Sequence, residues 1–184
     1  KGILEQTLTA QLAGKCELDD TSWIKPGQVS WDWWNHKSLY GPDVNFHPGC
    51  NTATYKYYID FASRYGLKYI FMDEEKGAGV ILWLTWSCVE RYLDTLFETY
   101  EKWGVAGTKI DFMDRQDQWM INWYERTIKE AAKHHIVVDF HGAMKPAGLE
   151  HRYPNLLAYE GIRGLEQMSG CQPDNTLYIP FLRN

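Results

Sequence analysis

The chain has 184 residues, 45% hydrophobic and 23% charged, which suffices for one domain with a real core. A net charge of −5 and a pI near 5.7 exclude the basic footprint of a nucleic-acid binder, and no Lys/Arg run is placed to neutralise phosphates. No stretch approaches 18 consecutive apolar residues, so no membrane span is expected.

In chain order, the first thirty residues read as irregular, with turn chemistry in "DDTSWIKPGQ". "VSWDWW" reads as a strand, with Val29, Trp31 and Trp33 alternating against Ser30, Asp32 and Trp34. "NTATYKYYIDFASRYG" reads as a helix. Asn51 or Thr52 caps it, Tyr55, Tyr58, Ile59 and Ala62 share a stripe, and Gly66 ends it. "LKYIFMDEE" is a short buried strand ending in acids, and "AGVILWLTW" is another apolar strand. "CVERYLDTLFETYEKWG" is an amphipathic helix with Val89, Tyr92, Leu93, Leu96, Tyr100 and Trp103 on one face, stopped by Gly104. "GTKIDF" is a strand, "DQWMINWYERTIKEAAKHH" a third helix and "IVVDFHG" a strand after it. "NLLAYEGIRGLE" is one more strand with its exit loop.

Strand and helix therefore alternate, and the strands are too apolar for one-sided exposure. This is the parallel α/β pattern. Successive strands end in polar residues: Asp32, Asp73, Asp111, His141 and Glu160. In a (β/α)8 TIM barrel such ends converge on one mouth. The rival, a doubly wound sheet, usually carries a Gly-rich phosphate turn early, and none is present. One place does not fit. Only about half a dozen residues separate "YIFMDEE" from "GVILWLTW", whereas a parallel crossover needs roughly a dozen or more. Either these strands are not parallel neighbours, or residues of the native chain are absent from this sequence near 75–77.

Within "GTKIDF", alternation points Lys109 and Asp111 to the barrel interior, and Ile110 and Phe112 outward against helices. Lys109 and Asp111 read either as a pair that stabilises the barrel top, or as a catalytic Asp with a substrate-binding Lys beside it. In the next loop, Asp114 reads as a mouth residue and Asp117 as a helix cap. Glu160 and Glu166, with Arg163 between them, read either as a surface network or as an acid and a cation site. His141 reads as a structural or a functional strand-end residue. Aromatics make up 15% of the chain, and Trp31 and Trp34 are candidate sugar-stacking platforms. Cys16, Cys50, Cys88 and Cys171 are spaced too widely for a zinc site and read as buried thiols or one disulfide. Acids at several strand ends, an aromatic mouth and no cofactor motif suggest glycoside hydrolysis by two carboxylates. A Schiff-base lyase using Lys109 and a non-catalytic sugar-binding barrel are the rivals.

The runs "SWIKPGQVSWDWWN", "TYKYYIDFASRYGLKYIFMDE", "EKWGVAGTKIDFMDRQDQ" and "DFHGAMKPAGLEHRYPNLLAYEGIRGLE" resemble the catalytic barrel of glycoside hydrolase family 97. The resemblance covers most of Ser22 to Glu166, and "NTLYIPFLRN" resembles the family's last barrel-strand region. It implies a catalytic (β/α)8 barrel over residues 1–184, incomplete near 75–77, without the flanking β domains of the family. A periplasmic or secreted location is expected, although no signal peptide is visible and "KGILEQ" does not read as a native start.

Family members cleave α-glucosides or α-galactosides and bind calcium. Inverting members lack the strand-4 Asp and carry a base Glu after the His of the next strand; retaining members show the reverse. Asp111 in "KIDF" and Gly142 in "FHGA" therefore imply the retaining branch, an α-galactosidase by resemblance. Asp111 would be the nucleophile and Glu166 the general acid and base. Glu160 and Glu166 would be calcium ligands, part of whose set the family draws from its N-terminal domain. Lys109, Trp31, Asp32, Asp73, His141 and Arg163 are expected to bind an oligosaccharide or α-galactoside. An inverting α-glucosidase of the same family is the alternative.

Overall fold

The structure, a computed structural model, describes residues 8–71, 79–164, 167 and 170–183. Its elements are α1 (Leu8–Leu12), β1 (Val29–Trp31), a 3-10 turn (Asp32–Asn35), α2 (Thr52–Tyr65), β2 (Tyr69–Phe71), β3 (Gly79–Thr85) and α3 (Trp86–Trp103). β4 (Gly107–Asp111), α4 (Gln118–Lys133), β5 (Val137–Phe140), α5 (Leu149–Arg152), β6 (Leu156–Tyr159) and α6 (Asn175–Arg183) follow. The six strands are all parallel and lie side by side in chain order. A doubly wound sheet reverses its strand order at a switch point. This sheet does not, and it forms a curled arc of a (β/α)8 barrel, as the alternation of elements implies.

Period-two alternation separates two apolar layers. Ile70, Val80, Leu82, Ile110, Val138 and Phe140 face outward and join the helices in the main core, against Val89, Phe97, Met120, Trp123 and Ile128. Tyr69, Phe71 and Ile81 face inward with Val29 and Trp31. Caps fix where the helices start. Asn51 accepts the Thr54 N–H at 3.0 Å, Thr85 Oγ1 accepts the Cys88 N–H at 3.3 Å, and Asp117 Oδ1 accepts the Met120 N–H at 3.0 Å. Gly66 and Gly104 close α2 and α3 with φ of 70° and 75°, a conformation that glycine adopts without strain.

Several details differ from the sequence reading. "VSWDWW" is a strand only to Trp31; the next four residues wind into the 3-10 turn. α3 begins two residues early and has non-helical angles at Tyr92 (φ −120°, ψ 15°), while Val89, Leu93, Leu96 and Tyr100 of its expected stripe pack in the core. Tyr92 and Trp103 are exposed, and Phe97, beside Leu93 and Tyr100 on the same face, is buried. The tail expected to be strand-like is helix α6. A short apolar run does not distinguish helix from strand, and Pro180 has no N–H for a ladder. All four cysteines are free, but none is buried. β2 and β3 are parallel neighbours, with Tyr69 opposite Gly79. That removes one explanation for the short crossover; the other, at 75–77, lies outside the described residues. Among the described residues, no helix is long and apolar enough to cross a membrane.

Candidate active site

An open cleft of about 870 Å³ lies over the C-terminal strand ends, a size suited to a small ligand. Trp31, Phe71, Trp83, Lys109, Asp111 and His141 come to it from β1 to β5, and Glu160 from the end of β6. The parallel register places them together. Trp83 sits opposite Lys109, Thr85 opposite Asp111, and Lys109 opposite Asp139.

Asp111 closes β4, and both of its carboxylate oxygens accept hydrogen bonds. Oδ1 accepts the Phe112 backbone N–H at 2.7 Å, and Oδ2 accepts the Trp83 indole N–H at 3.1 Å. Lys109, only 3% exposed, places its ammonium 4.0 Å from the Trp31 ring centroid and 5.4 Å from that of Phe71. That is cation–π geometry at a desolvated site. His141 continues β5 by donating its N–H to the Ile110 carbonyl at 2.8 Å. Its ring lies between two carboxylates: Nε2 is 3.4 Å from Asp139 Oδ2, and Nδ1 is 3.3 Å from Glu160 Oε2. Glu160 is tied down at both ends. Its N–H donates to the Phe140 carbonyl at 2.7 Å, and its Oε2 accepts the Gly142 N–H at 3.2 Å. Just before it, the Tyr159 hydroxyl donates to Glu150 at 3.2 Å. Burial, and then the Glu150 carboxylate, push that phenol well above its ordinary pKa.

Trp31, Asp32, Lys109, Asp111, His141, Glu160 and Arg163 thus meet at one cleft. Asp32 sits in the 3-10 turn rather than in a strand, and its carboxylate pairs with Lys37 at 3.2 Å. The carboxylate of Glu160 has partners inside the cleft, which argues against a purely surface network. Asp73 and Glu166 lie outside the described residues. Three readings need correction. Phe112 does not pack outward: its φ of 61° turns it onto the rim, 53% exposed, with its ring edge-on to Trp83 at 5.8 Å. Asp114 does not line the cleft; it sits in the exit loop with a φ of 52°. Trp33, rather than Trp34, joins Trp31 in the lining. Trp83 was missed because it sits in an unbroken apolar run; only the cross-strand register reveals it beside Lys109.

Calcium takes six to eight oxygen ligands. The Glu160 carboxylate has suitable chemistry. Among the described residues, however, no group of three or more His, Cys, Asp or Glu is placed to hold a metal ion. The described residues alone do not make a calcium site.

A β/α-barrel arc with acids, an enclosed lysine and aromatic rings at its mouth is the architecture of many carbohydrate-processing enzymes. The profile described as Glycoside hydrolase 97 matches residues 33–75 and 73–162, and the chain belongs to this family. A curated Bacteroides thetaiotaomicron protein named retaining alpha-galactosidase is 39% identical over 215 aligned residues, covering 100% of this chain and 32% of its own length. A Streptomyces bingchenggensis protein named probable retaining alpha-galactosidase is 30% identical over 218 residues, covering 99% of this chain and 32% of its own. The chain thus spans about a third of these relatives. A family 97 enzyme from Pseudoalteromonas sp. strain K8, solved with panose, shares the fold with a TM-score of 0.80 and 23% identity, over 97% of this chain and 36% of that one. A beta-arabinopyranosidase structure superposes with a TM-score of 0.77 at 24% identity, over 100% of this chain and 34% of that one.

Proposed function

We infer that this chain is the catalytic barrel of a retaining α-glycosidase, and specifically of an α-galactosidase. The observation that carries the reading is the held carboxylate of Asp111 at the end of β4, facing a strand end where Gly142 offers no competing acid. The two curated relatives named as retaining alpha-galactosidases support the sugar and the stereochemistry. The solved neighbours bound to panose and acarbose support an oligosaccharide or glycoside as partner.

In this mechanism an Asp111 oxygen bonds to the anomeric carbon as the bond to the aglycone oxygen breaks. Glu166 protonates that leaving oxygen. It then takes a proton from the water that cleaves the glycosyl-enzyme ester and frees Asp111. The role of Glu166 rests on the resemblance of the "EGIRGLE" run. Lys109, Trp31, Asp32, His141 and Arg163 bind and orient the sugar from around the cleft, and Asp73 is assigned the same task by resemblance. Calcium belongs to the proposal for the longer protein, with Glu160 and Glu166 among its ligands and the rest supplied from elsewhere. When bound, it would supply positive charge beside the reacting sugar. The proposed location is periplasmic or secreted.

Proton NMR of the first product formed from nitrophenyl α-galactoside by the longer protein tests the reading. The α-anomer of galactose must appear first. The β-anomer would show inversion, and faster cleavage of the α-glucoside would reassign the sugar. Chelation with calcium add-back in the same assay tests the metal: activity that survives chelation unchanged rules it out.

A further inference from the structure

Trp83 is the residue at this cleft that neither core packing nor the expected chemistry explains. It lies in an otherwise apolar strand, yet it is 48% exposed and turned into the cleft. Its indole N–H reaches diagonally from β3 to Asp111 Oδ2 at 3.1 Å, and its ring meets Phe112 edge-on at 5.8 Å. The positive φ of Phe112 swings that ring to the rim beside Trp83. Its backbone N–H meanwhile holds the other oxygen, Oδ1, at 2.7 Å. The Asp111 carboxylate is thereby fixed at both oxygens, by a side chain of β3 and by the backbone of the residue that follows β4.

We propose that Trp83 is a positioning residue, whose indole N–H orients the Asp111 carboxylate for attack on the anomeric carbon. The inference rests on the reading of Asp111 as the nucleophile. The chemistry of indole suits the task. It donates one hydrogen bond, accepts none and does not titrate in the accessible pH range, so it orients a carboxylate without protonating it. Each oxygen of Asp111 keeps a further lone pair, which leaves one free to attack.

The test is a double-mutant cycle in the longer protein, using nitrophenyl α-galactoside with and without azide. Trp83→Phe keeps an aromatic ring and removes the donor. It lowers kcat by roughly 10- to 100-fold and leaves KM within about twofold, the pattern of an interaction realised in the transition state. Because Trp83 acts through Asp111, adding Trp83→Phe to Asp111→Ala leaves the azide-rescued rate unchanged. An equal slowing in both backgrounds, or a rise in KM alone, would show that Trp83 is a sugar-stacking platform and would overturn the proposal. Full activity of Asp111→Ala without azide would overturn the nucleophile reading, and this inference with it. A folding-independent readout is the indole N–H resonance of Trp83 in nitrogen-15-labelled protein. It shifts on Asp111→Ala if the hydrogen bond exists in solution, and an unmoved resonance contradicts it.

Discussion

A β-carbon built on Gly142 would lie 3.5 Å from Asp111 Oδ1, and equally close to the Phe112 backbone nitrogen. The strand-4 acid and the residue after the strand-5 histidine therefore share one small volume. A carboxylate side chain at 142 would have to be accommodated beside Asp111, and two like charges held there repel. This gives a spatial reason for the pattern read in the sequence, where an Asp in "KIDF" goes with a Gly in "FHGA".

Substitution of Gly142 separates space from charge. The φ of 56° strains any residue with a β-carbon, while the 3.5 Å gaps are ordinary contacts. Gly142→Ala is expected to cost about 1 kcal/mol of stability and to keep most of kcat. Gly142→Glu crowds Asp111 and, if Asp111 is the nucleophile, should lower kcat by at least about 100-fold. Thermal melts and steady-state kinetics on both variants decide this; near-native turnover of Gly142→Glu would show that the two positions do not compete.

The exit loop carries a pH signature. The Arg115 side chain and then the Met120 backbone N–H hold the Asp117 carboxyl below its ordinary value of 3.8. A depressed folded-state pKa contributes stability above the unfolded value and loses it as pH falls through the folded one. Asp117→Ala should therefore melt a few degrees below the parent at neutral pH. The gap should persist to about pH 5 and close as pH drops below 3.8. Melting curves at a series of pH values check it. A gap that stays constant down to strong acid would mean that the helix cap works without its charge.

The β2–β3 connection makes a covalent prediction. The family profile matches in two pieces that meet at residues 73–75, and the alignment with the Bacteroides thetaiotaomicron relative runs over 215 residues against 184 in this chain. A parallel crossover normally uses a dozen or more residues. Seven residues already lie between Phe71 and Gly79, so we expect the native protein to carry at least about five more there. Mass spectrometry of peptides spanning this region tests it, and a peptide reading "MDEEKGAGV" without interruption would disprove it.

The caps and the alternation of elements were legible because they depend on neighbours in sequence. Asn51 and Asp117 each accept the N–H three residues ahead, and Gly66 and Gly104 act through their own φ. The inward pair Lys109 and Asp111 followed from period-two alternation alone. What stayed hidden depends on angles or on register. Phe112 left its expected place through a single positive φ, and Asp114 stands outside the cleft lining. Trp83 gained its meaning only when β3 was set beside β4. Glu160 showed its acid in the sequence, but not the N–H of Gly142, which lies eighteen residues earlier.

If Asp111 forms the bond to the sugar, Asp111→Ala in the longer protein, assayed with an activated α-galactoside, shows negligible hydrolysis. Sodium azide then restores turnover, with β-galactosyl azide as the product, the small anion entering the space the carboxylate leaves. Ordinary galactose release by Asp111→Ala in the absence of azide would contradict this role for Asp111.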